Sequence, residues 1–126
     1  MFRSLVATLA LLASASAAEP VQVHVTGATQ ADGQLLQDIL RQVALYGVAF
    51  NCPAPSDVHI GVIAASRVPL AAEYRAPSAK ALYEEWDAIF CGKEEPIFVT
   101  FWPDPNGGSF TKVTWPYPDG APRGYR

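Results

Sequence analysis

His24 and His59 are the two histidines of the chain, and each stands in a stretch with the pattern of a strand. Imidazole is the commonest metal ligand and a frequent general base near neutral pH. If those two strands lie side by side, the rings can share a metal ion with a carboxylate such as Asp57 as third ligand. The same groups define a hydrolase alternative, with His24 and His59 working beside nearby carboxylates. Their spacing is not that of a ligand motif, so residue type alone reads as two ordinary strand histidines. Acids concentrate at Glu84, Glu85, Asp87, Glu94 and Glu95. Glu85 and Asp87 fall on one strand face about 7 Å apart, which suits a glycosidase-like pair or a calcium site. The Asp-x-Asp-x-Asp-Gly loop of calcium sites is missing, however, and acids on a strand face ordinarily keep it solvated. The expectation is an outward, hydrated acidic face. There is no Gly-x-Ser-x-Gly elbow, and Asn106-Gly107-Gly108 leads into a strand rather than a helix, unlike a phosphate cradle. The sequence assigns no catalytic residue, no metal and no cofactor.

Cys52 and Cys91 are the two cysteines, and they are too far apart for a Cys-x-x-Cys redox pair. Their meaning depends on compartment. Met1-Phe2-Arg3 forms a short basic head, the stretch from Leu5 to Leu12 an apolar run, and Ala13-Ser14-Ala15-Ser16-Ala17-Ala18 a small-residue tail. That order is a secretory signal, 1–18, cleaved before Ala18 or Glu19. A membrane anchor needs about 20 apolar residues, more than this run supplies. No cysteine adjoins the cleavage zone, and no later run is long enough to span a bilayer. Export, to the periplasm or the medium, places the cysteines in an oxidising compartment and makes a structural disulfide the expected outcome. Closing that loop is worth ~4 kcal/mol in the chain-entropy model. Neither Asn51-Cys52-Pro53 nor Asn106-Gly107-Gly108 is a glycosylation sequon, which fits a bacterial periplasm.

Net charge is −3, and removing the leader with its Arg3 makes the remainder more acidic by one. Without a basic run, nucleic acid and anionic membranes are disfavoured as partners. The remaining roughly 110 residues suit a single domain with one modest core.

The elements that must position these groups follow from periodicity. Residues 21–25 alternate as a strand. Thr29-Gln30-Ala31-Asp32 resembles a helix start, and Leu35, Leu36, Ile39, Leu40, Val43 and Tyr46 then form one apolar stripe. Gly47 is the expected stop, because glycine accepts the left-handed conformation that ends helices. Residues 57–64 read as a strand by β-branched content. Pro69 and Pro77 bracket an Ala-rich stretch, 70–75, open between short helix and loop. Residues 81–90 are a strand with Leu82, Trp86, Ala88 and Phe90 on one face and Tyr83, Glu85 and Asp87 on the other. Residues 91–96 form a charged turn, 97–102 a strand, 103–108 a second turn and 109–115 a strand. These pieces predict an α+β fold: one amphipathic helix packed on an antiparallel sheet of four or five strands, ending in a three-stranded meander. The single domain spans 19–115, and 116–126 is a Pro- and Gly-rich tail expected to be disordered. Trp86 and Cys91 have opposite parity, which a bulge or a strand end at Phe90 reconciles.

Trp86, Cys91-Gly92, the apolar strand from Pro96 to Trp102, Pro103, Gly107-Gly108 and Phe110 follow one another in a pattern of Trp-x4-Cys-Gly, strand, turn, Gly-Gly and Phe-bearing strand. The pattern resembles a family of small exported proteins of proteobacteria, and Phe50-Asn51-Cys52-Pro53 resembles the Phe-x-Cys-Pro that accompanies it. The likeness covers about half of the chain after the leader. It implies a Cys52–Cys91 bridge and an envelope location, and no activity. Aromatic residues are the remaining signal. Phe98 and Trp102 share one strand face while Val99 and Phe101 share the other, and Trp115 follows. Most of these aromatics are expected in the core; whatever remains exposed among Phe98, Trp102 and Trp115 is the candidate binding surface. The function read from sequence is a small exported, non-enzymatic binding module for a protein or small-molecule ligand of the envelope.

Overall fold

A computed structural model describes residues 22–70 and 75–124, so the expected leader, 1–18, lies outside the described residues. Five strands form one sheet: β1 (His24–Gly27), β2 (Asp57–Ile63), β3 (Leu82–Phe90), β4 (Lys93–Pro103) and β5 (Ser109–Thr114). Their order across the sheet is their order along the chain. A helix, α1 (Gly33–Leu45), links β1 to β2 and makes that pair parallel, while every later pair is antiparallel. The α+β architecture with its C-terminal meander is as expected, with one refinement. A helix between two neighbouring strands carries the chain back to its starting edge, so β2 runs the same way as β1.

The apolar stripe of α1 buries Ile39, Leu40 and Val43 against Val58, Ile60, Trp86, Ala88, Phe90, Val99 and Phe101 of the sheet. Asp32, not Thr29, is the N-cap and makes no side-chain cap bond; the Thr29 oxygen instead accepts the Ala31 N–H and its O–H donates to Glu84. The helix does not stop at Gly47. It tightens into a 3-10 turn over Tyr46–Phe50, and the left-handed residue is Asn51 (φ 53°). Gly47 serves a different need: a Cβ there would lie 2.0 Å from the Cys52 carbonyl oxygen, whose own N–H donates to the Gly47 carbonyl at 2.9 Å.

Strand β3 ends at Phe90, which settles the parity of Trp86 and Cys91. Phe90 pairs with Lys93, leaving Cys91-Gly92 as a two-residue turn with both φ angles positive, 49° and 89°. That is the geometry that matches strand twist in a tight hairpin. The charged stretch after it, expected as turn, is the first part of β4. Cys91 is bonded to Cys52, so a disulfide ties this hairpin tip to the chain leaving the helix.

The opposite face of the sheet is also covered. Ile63, Val68, Ala81, Tyr83 and Phe98 form a second core with Trp102, Tyr117 and Ala121. Part of that cover is the segment expected to be a disordered tail. After a cis Trp115–Pro116 bond, residues 116–124 cross back over the sheet, with Tyr117 edge-on to Phe98 at 5.6 Å. A Cβ on Gly124 would stand 2.8 Å from the Gly61 oxygen, so this segment lies directly on β2. Proline and glycine here set the path of an extended strap; lack of periodicity did not mean lack of contacts.

Candidate functional site

Strand β3 occupies the middle of the sheet, and its alternation sends Glu84 to the helix side and Glu85 and Asp87 to the strap side. With both faces covered, these acids are buried: Glu85 is 0% exposed, Glu84 1% and Asp87 7%. The hydrated acidic face expected from sequence is absent for this reason. Buried carboxylates need donors. Glu84 accepts from the Thr29 hydroxyl at 2.7 Å, the Gln30 N–H at 2.7 Å and the Trp86 indole at 2.8 Å. Glu85 accepts from the Arg123 guanidinium at 2.6 Å and the Gly124 N–H at 2.7 Å. Asp87 Oδ1 is buried without a hydrogen bond, and Arg123 reaches it only at 3.7 Å. Burial foremost, then the hydrogen bond and charge of Glu85 and the charge of Glu94, push the Asp87 carboxyl up to about 8, against a smaller pull from Arg123. Burial also raises Glu85, but the Arg123, Asp87 and Gly124 hydrogen bonds together hold it below its ordinary range. At neutral pH Asp87 therefore keeps its proton while Glu85 is ionised, so the pair carries one proton between them. Burial, then the Glu85 charge, drives the nearby Tyr117 phenol far above its usual range. Buried under the strap, at 0% and 7% exposed, the two carboxyls are closed off from an incoming glycoside. They hold the strap to the sheet.

Strands β1 and β2 are neighbours, as a shared metal at the histidines requires. The parallel register, however, sets His24 opposite Asp57 and Thr26 opposite His59. His24 Nδ1 lies 3.2 Å from Asp57, and the Ser56 hydroxyl donates to the same carboxylate at 2.7 Å. The Ser56 and His24 hydrogen bonds hold the Asp57 carboxyl below its usual range. His59 Nδ1 lies 2.6 Å from the Thr26 hydroxyl. Each imidazole thus has its own partner, and among the described residues no group of three or more His, Cys, Asp or Glu is placed to hold a metal ion.

The three candidate surface aromatics do not come together. Phe98 is 0% exposed, packed between Tyr83 and Tyr117, because the strap covers the face on which it stands. Trp115 belongs to the helix side, stacked on Tyr46 at 5.2 Å with its indole N–H on Glu95 at 3.2 Å. Trp115 and Trp102 are both only partly buried, and of the three Trp102 lines an open cleft of about 240 Å³ at the end of the sheet. It packs on Phe110 at 5.7 Å. Leu82, Phe101 and Pro103 continue that wall from β3 and β4, and Leu35 closes it from the first turn of α1. Gln30, Lys80, Gly108 and Ser109 supply the polar parts, from the loops before α1, before β3 and around the β4–β5 turn. Glu84 shapes this cleft indirectly: its bonds to Thr29 and Gln30 fix the loop on which Gln30 stands. Apart from Trp102 these residues carried no sequence signal, since they meet only through the fold.

The chain matches no protein-family model, no curated protein and no solved structure.

Proposed function

We propose that the protein is an exported binding module whose site is the cleft beside Trp102, where it takes a small, largely apolar ligand. One observation carries the reading. Segments far apart in sequence converge on a hollow of about 240 Å³ with apolar walls and a few polar groups at its edge. Concave, mostly apolar sites with a few oriented polar groups are how proteins bind small molecules. The leader-like residues 1–18, the Cys52–Cys91 bridge and the resemblance to exported envelope proteins support the location. Titration with hexanol and benzyl alcohol, followed by amide and indole NMR shifts, tests the site. Saturable shifts at Gln30, Leu82, Ser109 and the Trp102 indole are expected, and should vanish in Leu82→Arg; their absence in the wild-type protein overturns the reading. An intact Met1 on protein recovered from the envelope would overturn export.

A second reading, a hydrolase, draws on the Thr26 hydroxyl lying 2.6 Å from His59 Nδ1, a nucleophile and base in contact. It predicts turnover of p-nitrophenyl acetate that is lost in both Thr26→Val and His59→Ala. Rates in either variant equal to wild type end it.

A further inference from the structure

The volume and the edge of the cleft narrow the ligand class. This step rests on the cleft being a binding site. A hollow of about 240 Å³ equals the liquid volume of about eight water molecules, so it suits a compact organic molecule rather than a polymer segment. Its walls are hydrocarbon and aromatic: Leu35, Leu82, Phe101 and Trp102. Of the described residues that line it, Lys80 alone is charged.

The neighbouring acids Glu84 and Asp104 are not among the residues that line the hollow. Glu84, two residues along β3 from Leu82, is 1% exposed, and its oxygens are taken by Thr29, Gln30 and Trp86. Asp104, in the β4–β5 turn, accepts the Asn106 N–H of its own turn at 2.8 Å. The residues facing the hollow therefore present an apolar floor with a positive edge. The Gln30 side chain adds an amide to that edge, on a loop pinned by Glu84.

From this we infer that the cleft binds a small apolar carboxylic acid, its hydrocarbon against Trp102 and Leu82 and its carboxylate beside Lys80. A neutral isostere makes the same apolar contacts but leaves the ammonium unanswered, and an amine of the same shape meets it with like charge.

The test compares hexanoate, hexanol and hexylamine on the full protein after leader removal, at neutral pH and low salt, by the same NMR shifts. Hexanoate is expected to bind roughly threefold to fivefold more tightly than hexanol, the scale of an exposed ion pair, with hexylamine weakest. Salt near 1 M should shrink the preference, because screening then acts over about 3 Å. Lys80→Gln should bring hexanoate level with hexanol, and Lys80→Arg should restore the gap. Hexanol binding as well as hexanoate to the wild-type protein overturns the carboxylate inference while the binding reading stands. A preference that survives in Lys80→Gln also overturns it. If none of the three saturates, the binding reading itself falls.

Discussion

Asp87 and Glu85 share one guanidinium beneath the strap, so ionising both leaves a buried negative charge without its own counterion. The consequence for stability has a definite sign. The folded Asp87 pKa, about 8, stands above its unfolded value near 3.8. Its contribution is therefore complete below the unfolded value and is lost as pH rises through about 8. Glu85 works the other way: its folded pKa is lowered, so its contribution is present above its ordinary value and lost on acidification. The two together favour weakly acidic conditions. Thermal melts from pH 5 to 9 should show the melting temperature falling toward the alkaline end, and Asp87→Asn, which keeps the shape of the neutral carboxyl, should flatten that limb. Equal alkaline slopes in the two proteins would count against the shared proton. At this scale the sequence was half legible. Alternation set Glu85 and Asp87 side by side with Tyr83, but their partner Arg123 sits in a segment with no period to follow, so the direction they face was read as outward.

Strands and helix were legible because their periods are long enough to be unambiguous, and their ends were not. The stripe of α1 and the two faces of β3 follow the expected pattern. The start of α1 moved because the Thr29 oxygen, the expected cap, accepts the Ala31 N–H in a local turn at 3.0 Å while its O–H donates to Glu84, 55 positions away. Its end moved because Gly47 is present for close approach rather than for a left-handed turn. That distinction has a measurable outcome. Gly47→Ala should cost roughly 3 kcal/mol or more, since a methyl cannot share space with a backbone carbonyl. Glycine kept only for conformational freedom tolerates alanine far better where φ is negative. Urea unfolding of this variant decides between the two roles. The tight Cys91-Gly92 turn was missed for a related reason: Lys, Glu and Pro after it look like loop, yet they pair with β3 across the hairpin.

For the whole molecule, the disulfide joins the chain leaving the helical segment 33–50 to the tip of the β3–β4 hairpin, whose strands lie inside the sheet. The double variant Cys52→Ala, Cys91→Ala should lose about 2–5 kcal/mol of stability, seen as an earlier urea midpoint with little change in spectrum. A loss below ~1 kcal/mol would mean that the two layers hold each other without the bridge. The fold class was legible at this scale, and so was the bridge, from the number of cysteines and the leader-like pattern of residues 1–18. The cleft was not, because it belongs to no element: it exists only where the sheet end, the helix start and two loops meet.

The match between strand order and chain order has a temporal side. A chain growing from its N-terminus can lay each strand beside the one before it, with no piece inserted between two already placed. The strap goes on last, and with it the guanidinium that answers Glu85. Without that segment Tyr83 and Phe98 lose their cover and Glu85 loses both its guanidinium and the Gly124 N–H, so the segment that is synthesised last is the one that closes the second core.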